Sequence, residues 1–112
     1  MTRHTAIWLD HEEAHVFALG HETHQRITLK NAHRGHSDAT FFHDITVAAG
    51  PDSKIFLCGP GMAKTAFRAH AEAHDPDFAR RIVRFEGADH PSDGALIADA
   101  RTFFRSYERM TA

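Results

Sequence analysis

A chain of 112 residues, 42% hydrophobic and 25% charged, is long enough for one hydrophobic core but not two, and too apolar to stay disordered. Its formal charge of −2 argues against a strongly basic nucleic-acid module, although a local basic patch is compatible with that total. No apolar run approaches the roughly 18 residues of a membrane span, residues 1–4 lead into a strand without a signal-peptide core, and the single Cys58 excludes an internal disulfide, so a cytoplasmic protein without a membrane partner is expected.

Residues 5–10 read as a strand, His11-Glu12-Glu13 as a turn, and residues 14–19 as a second strand whose two faces, Val16 and Ala18 against Phe17 and Leu19, are both apolar, as an interior strand requires. After Gly20-His21-Glu22, residues 23–30 alternate through Ile27 and Leu29 and complete an antiparallel meander. Residues 31–37 are polar and histidine-rich, which predicts an exposed loop. Ser37 or Asp38 is placed to cap a helix running to about Ala49, with Phe41, Phe42, Ile45, Ala48 and Ala49 on one side and Gly50-Pro51 as its stop. A strand over 54–58 follows, then a helix over 61–73 ended by Asp75-Pro76. Met62, Ala66 and Phe67 should form that helix's buried stripe, with Arg68, His70 and His74 toward solvent. A helical turn over 76–79 precedes a strand over 81–85. In the last helix Ser92 is the N-cap, Asp93 complements the positive helix start, and Leu96, Ile97, Ala100, Phe103, Phe104 and Tyr107 share an apolar face. The order β-β-β-α-β-α-β-α suits a single α/β domain over 1–112: a mixed sheet with a meander on one side and helices covering it.

The strand-to-helix elbow Ile55-Phe56-Leu57-Cys58-Gly59-Pro60-Gly61-Met62-Ala63-Lys64 is the most informative segment. A nucleotide phosphate loop requires four residues between its first glycine and Gly-Lys-Ser/Thr, whereas Lys64 and Thr65 follow Ala63, so that reading fails. Two readings of the elbow stand: a compact turn with Lys64 on the surface, or helix amides and Lys64 engaging a phosphate or an acidic protein surface. Cys58, ending an apolar strand, reads as a buried thiol. A two-metal nuclease would need several converging carboxylates, and Asp10 lacks evident partners, since Asp38, Asp44 and Asp93 read as caps or surface groups. The pairs His11 and His15, His33 and His36, and His70 and His74 have spacings that bring imidazoles together. With eleven histidines in the chain they read as surface residues rather than as a metal site, and no cofactor is expected. Those histidines also make charge depend on pH: imidazole titrates near about 6.5, so mild acidification turns the chain cationic.

The Gly-Pro-Gly-x-x-Lys elbow, the charged helix after it, the strand Arg81-Ile82-Val83-Arg84-Phe85 and the segment Ala88-Asp89-His90-Pro91-Ser92-Asp93-Gly94 occur in an order that resembles the middle domain of class 1 release factors and their pelota relatives. The likeness is closest to a bacterial single-domain branch described as translational machinery or host attachment proteins. It implies a ribonuclease-H-like fold. In true release factors the loop after the meander carries a Gly-Gly-Gln tripeptide that enters the peptidyl-transferase centre; here it reads Ala32-His33-Arg34-Gly35-His36-Ser37-Asp38, with one glycine and no glutamine. Peptidyl-tRNA hydrolysis by that route is therefore not expected. What the resemblance implies is a non-catalytic, translation-associated protein that contacts the ribosome or RNA through Lys30, His33, Arg34, Gly35 and His36, with Gly59, Gly61 and Lys64 as a second contact. The chain has no room for the flanking domains of a release factor, so recruitment would differ. The alternatives are a metal-dependent hydrolase or nuclease, and a protein-interaction module in attachment. An open sheet edge permits a homo-oligomer.

Overall fold

The computed structural model describes residues 3–32 and 37–111. Strands β1 (Arg3–Leu9), β2 (Glu13–Leu19) and β3 (His24–Lys30) form the antiparallel meander, and helix α1 (Ala39–Ala49) leads to β4 (Ser53–Gly59). Helices α2 (Ala63–His74) and α3 (Pro76–Arg80), strand β5 (Ile82–Gly87) and helix α4 (Asp93–Thr111) complete the chain. The sheet order is β3-β2-β1-β4-β5, with β4 parallel to β1 and β5 parallel to β4. This is the expected mixed α/β sheet.

The two-residue period of the strands divides the core in two. Ile7, Leu9, Val16, Ile55 and Leu57 pack against Phe41, Phe42 and Ile45 of α1, Phe67 and Ala71 of α2, and Phe78 of α3. Ala6, Trp8, Phe17, Phe56 and Cys58 face the other way, onto Leu96, Ile97, Ala100 and Phe104 of α4. The result is three layers: three helices, the sheet, and one long helix. Each fully buried leucine or phenylalanine in these layers stabilises by roughly 1.5–3 kcal/mol.

Two expectations are corrected. Met62 is 66% exposed and Ala66 is also exposed, because α2 begins at Ala63 rather than Gly61 and its buried stripe is Ala63, Lys64, Phe67 and Ala71. Ile27 is 43% exposed although its strand alternates, because β3 is an edge strand reaching past the cover of α1. The expected helical turn over 76–79 is present and extends to Arg80: Pro76 starts it, the Phe78 amide donates to Asp75 Oδ1 at 3.2 Å, and Phe78 inserts into the core. At α4 the expected cap is in place, with the Ala95 amide donating to Ser92 Oγ at 3.2 Å.

A candidate interface along the carboxyl edge of the sheet

Only β2 runs against its neighbours, so β1, β3, β4 and β5 all end at one edge. Four connections collect there: the Asp10 turn, the loop after Lys30, the Gly59-Pro60-Gly61 elbow and the segment 88–92 before α4. The register places Lys30 against Glu13, Leu29 and Leu9 on either side of Ala14, and Trp8 beside Cys58. At about 4.8 Å per strand, the exits of β3 and β4 lie roughly 14 Å apart.

At the β3 exit, Lys30 is 74% exposed and ion-paired with Glu13, which holds the Glu13 carboxyl below its usual range. The following loop is pinned at its base. Asn31 Nδ2 donates to Asp38 Oδ1 at 2.9 Å and to His11 O at 3.0 Å, and the Asn31 amide donates to Glu12 O at 2.8 Å. His33, Arg34, Gly35 and His36, the candidate RNA contacts of that loop, lie outside the described residues. Asp10 holds its turn by accepting the Glu12 and Glu13 amides on Oδ1, each at 2.8 Å. Among the described residues no group of three or more His, Cys, Asp or Glu side chains is placed to hold a metal ion.

At the elbow, Gly59 has φ 152° and a Cβ on it would sit 2.1 Å from Leu9 O; Gly61 has φ 58°. The sequence carries glycine at both positions because strand crowding demands it at one and left-handed backbone favours it at the other. Lys64 is only 8% exposed, which corrects the surface placement. Its Nζ donates to Gly61 O at 2.8 Å and lies 5.7 Å from the Phe85 ring centroid, so the ammonium braces the turn. No side chain caps the start of α2. Cys58 is buried as expected, and burial, with Glu86 and Asp99 nearby, pushes its thiol up to about 12, which keeps it protonated and poorly nucleophilic near neutrality.

The sequence did not disclose a cluster at the ends of β1 and β2. The Trp8 indole Nε1 donates to Asp89 O at 2.6 Å, and its ring lies 4.4 Å from His90 and 5.3 Å from His15. His15 is buried, and burial holds its pKa below the ordinary value; Arg26 acts in the same sense, Glu13 and Asp93 against it. The Trp8–His15 half was legible from hairpin pairing, but Asp89 and His90 arrive from the far end of the chain. On the opposite face, His70 and His74 do come together, 4.6 Å between centroids, and burial lowers the His70 pKa with further contributions from His74 and His43.

This architecture is the ribonuclease-H-like α/β fold of the release-factor and pelota middle domain. Pelota of Thermoplasma acidophilum is similar over 88% of this chain and 31% of its own, with TM-score 0.61 and 25% identity. Archaeoglobus fulgidus Pelota matches over 86% of this chain and 29% of its own, TM-score 0.63 and 16% identity. The archaeal translation termination factor aRF1 matches over 95% and 40%, TM-score 0.62 and 12% identity. The chain thus spans 29–40% of the length of these proteins. No family model and no curated protein sequence matches it.

Proposed function

We propose that residues 1–112 act as one non-catalytic binding domain that contacts the ribosome or RNA through the carboxyl edge of its sheet. The observation that carries this reading is the similarity of nearly the whole chain to a portion of two Pelota proteins and of aRF1, an archaeal translation termination factor. The contacts assigned to the interface are Lys30, His33, Arg34, Gly35 and His36 at the β3 exit, and the backbone of Gly59 and Gly61 at the elbow, which Lys64 supports. Lys30 is an exposed cation at the β3 exit, and exchanging its surface ion pair with Glu13 costs little. Peptide release is not assigned to the loop, because its sequence has one glycine and no glutamine to position water.

Affinity capture from lysate, with and without ribonuclease, tests the partner. Recovery of ribosomal components supports the reading, and recovery of none removes it. A peptide-release assay tests the chemistry: purified protein should not exceed the uncatalysed rate. Robust release that disappears in His36→Ala would mean that this imidazole acts as a general base and that the domain is an enzyme.

A further inference from the structure

We propose that the cleft between β5 and the first half of α4 is a binding site for an arginine side chain presented by a basic protein segment. This inference does not rest on the ribosomal reading. The cleft has a volume of about 260 Å³, just below the range of roughly 300–1,000 Å³ that holds drug-sized ligands. It suits one long side chain rather than a cofactor.

Its floor is apolar: Phe56 and Cys58 of β4 and Leu96 of α4, all buried. Its rim is acidic, with Glu86 on β5, Asp99 on α4, and Asp89 and His90 closing one end. The lining holds three carboxylates and no lysine or arginine. Strand register explains the grouping, because Cys58 pairs with Glu86 and Phe56 with Arg84, which sets the α4-facing side chains of the two strands side by side. On α4, Leu96 and Asp99 are three residues apart and so share a face.

An apolar floor below an acidic rim complements a guanidinium on a methylene stem, the stem covering the rings and the head meeting the carboxylates. The protein's own Arg84 already makes such a contact at the margin: its guanidinium pairs with Glu86 at 2.9 Å and lies 5.7 Å from the centroid of the Phe103 ring. Asp89 and Asp99 have no ion-pair partner among the described residues, and the buried Cys58 thiol in the floor has no hydrogen-bond partner among them. Glu86 and Asp99 raise the thiol pKa, each by more than Lys64 lowers it, so the carboxylate field prevails at the floor. A phosphate would be repelled by that field. The cleft therefore selects protein over nucleic acid.

The test is a titration of isotope-labelled full chain with Nα-acetyl-arginine amide, followed by amide resonances. Those of Ala88, Leu96 and Asp99 should move with a Kd on the order of 1 mM, about tenfold tighter than for the uncharged citrulline counterpart. A Gly-Arg-Gly peptide should bind at least as well, and a single-stranded oligonucleotide should leave these resonances in place. Asp89→Asn with Asp99→Asn should weaken arginine binding at least about fivefold while the spectrum stays folded. Equal binding of citrulline, movement confined to other residues, unchanged binding in the double variant, or displacement of the same resonances by the oligonucleotide would each overturn the assignment. Should the double variant unfold, the arginine–citrulline contrast on the wild-type chain decides alone.

Discussion

The two faces of the sheet are covered differently, and the difference shows where this fold can carry chemistry. On one face, α1, α2 and α3 close over the strands with an edge-to-face aromatic chain: Phe42 to Phe67 at 5.6 Å and Phe67 to Phe78 at 5.7 Å. On the other, α4 is the one helix over Trp8, Phe17, Phe56 and Cys58, joined by the segment before it at Trp8, and beyond its width the end of β5 stays open as an acidic cleft. Dense packing on the first face leaves little there but stability. The second face and the edge joining both faces hold the Trp8–His15–His90 cluster, the glycine elbow and the acidic cleft.

The largest effect should come where both faces share backbone. Gly59→Ala places a methyl against Leu9 O and forces a φ that alanine rarely adopts, so it should destabilise by more than about 3 kcal/mol or prevent folding. Gly61→Ala meets nothing within 4 Å and carries only the left-handed backbone cost, about 1 kcal/mol. Urea unfolding midpoints separate the two, and comparable values would remove the close approach as the reason for the elbow's sequence.

Next come the faces themselves. Phe67→Ala opens a void inside the closed layer and should cost about 3–5 kcal/mol, whereas Leu96→Ala borders the cleft, where solvent relieves the void, and should cost nearer 2 kcal/mol. Equal losses would mean that the α4 face is as closed as its opposite.

Periodicity made the element order and the mixed sheet legible, since helices and strands here differ plainly in the spacing of their apolar residues. It failed at Met62 and Ala66 because Met62 precedes the helix and the buried stripe runs through Ala63, Phe67 and Ala71, one residue on from the Met62–Ala66 row, while no capping side chain marks where α2 begins. Lys64 read as a solvent residue because a lysine seldom turns inward; the nearby Gly61 carbonyl and Phe85 ring make that possible, and neither is visible as a partner in sequence. The same limit hides Arg101, whose guanidinium donates to Gly20 O, His21 O and Thr23 O and ties α4 to the β2–β3 hairpin. The arginine cleft was illegible because its lining comes from β4, β5, the 88–91 segment and α4, none of which carries a motif alone.

A smaller effect distinguishes the faces by pH. His15 on the α4 side and His70 on the other both have pKa values lowered mainly by burial. Below about pH 6.5 the unfolded chain then binds more protons than the folded one, so stability falls on acidification through that window and recovers as pH rises. Glu13, also lowered, adds a loss that begins only nearer its ordinary value of 4.5. Around His15, Arg26 of β3 and His90 of the segment before α4 act with burial, while Glu13 on its own strand and Asp93 of α4 act against it; since His15 is buried and His70 only partly so, His15 should carry the larger share. Midpoints measured at about pH 7 and about pH 5.5 should differ less in His15→Gln than in wild type, and less strongly so in His70→Gln. The reverse order would place the acid-sensitive packing on the closed face.

The smallest stability effect is expected at Lys30, and that is what makes it useful. Its ammonium is exposed, and its pair with Glu13 is a surface ion pair, so Lys30→Gln should change stability by no more than about 0.5 kcal/mol. Binding should respond more strongly. Removing one phosphate contact lowers affinity for RNA or ribosomes and reduces the steepness of its salt dependence by about one unit of logarithmic slope. Asp99→Asn, which removes a negative charge on the other side of the same edge, should leave affinity unchanged or raise it slightly. Measured together against salt concentration, the two variants separate a local contact at the β3 exit from a general effect of net charge. If Lys30→Gln kept both full affinity and full salt slope, the basic end of the edge would not be where polyanions bind, however the rest of the molecule is used.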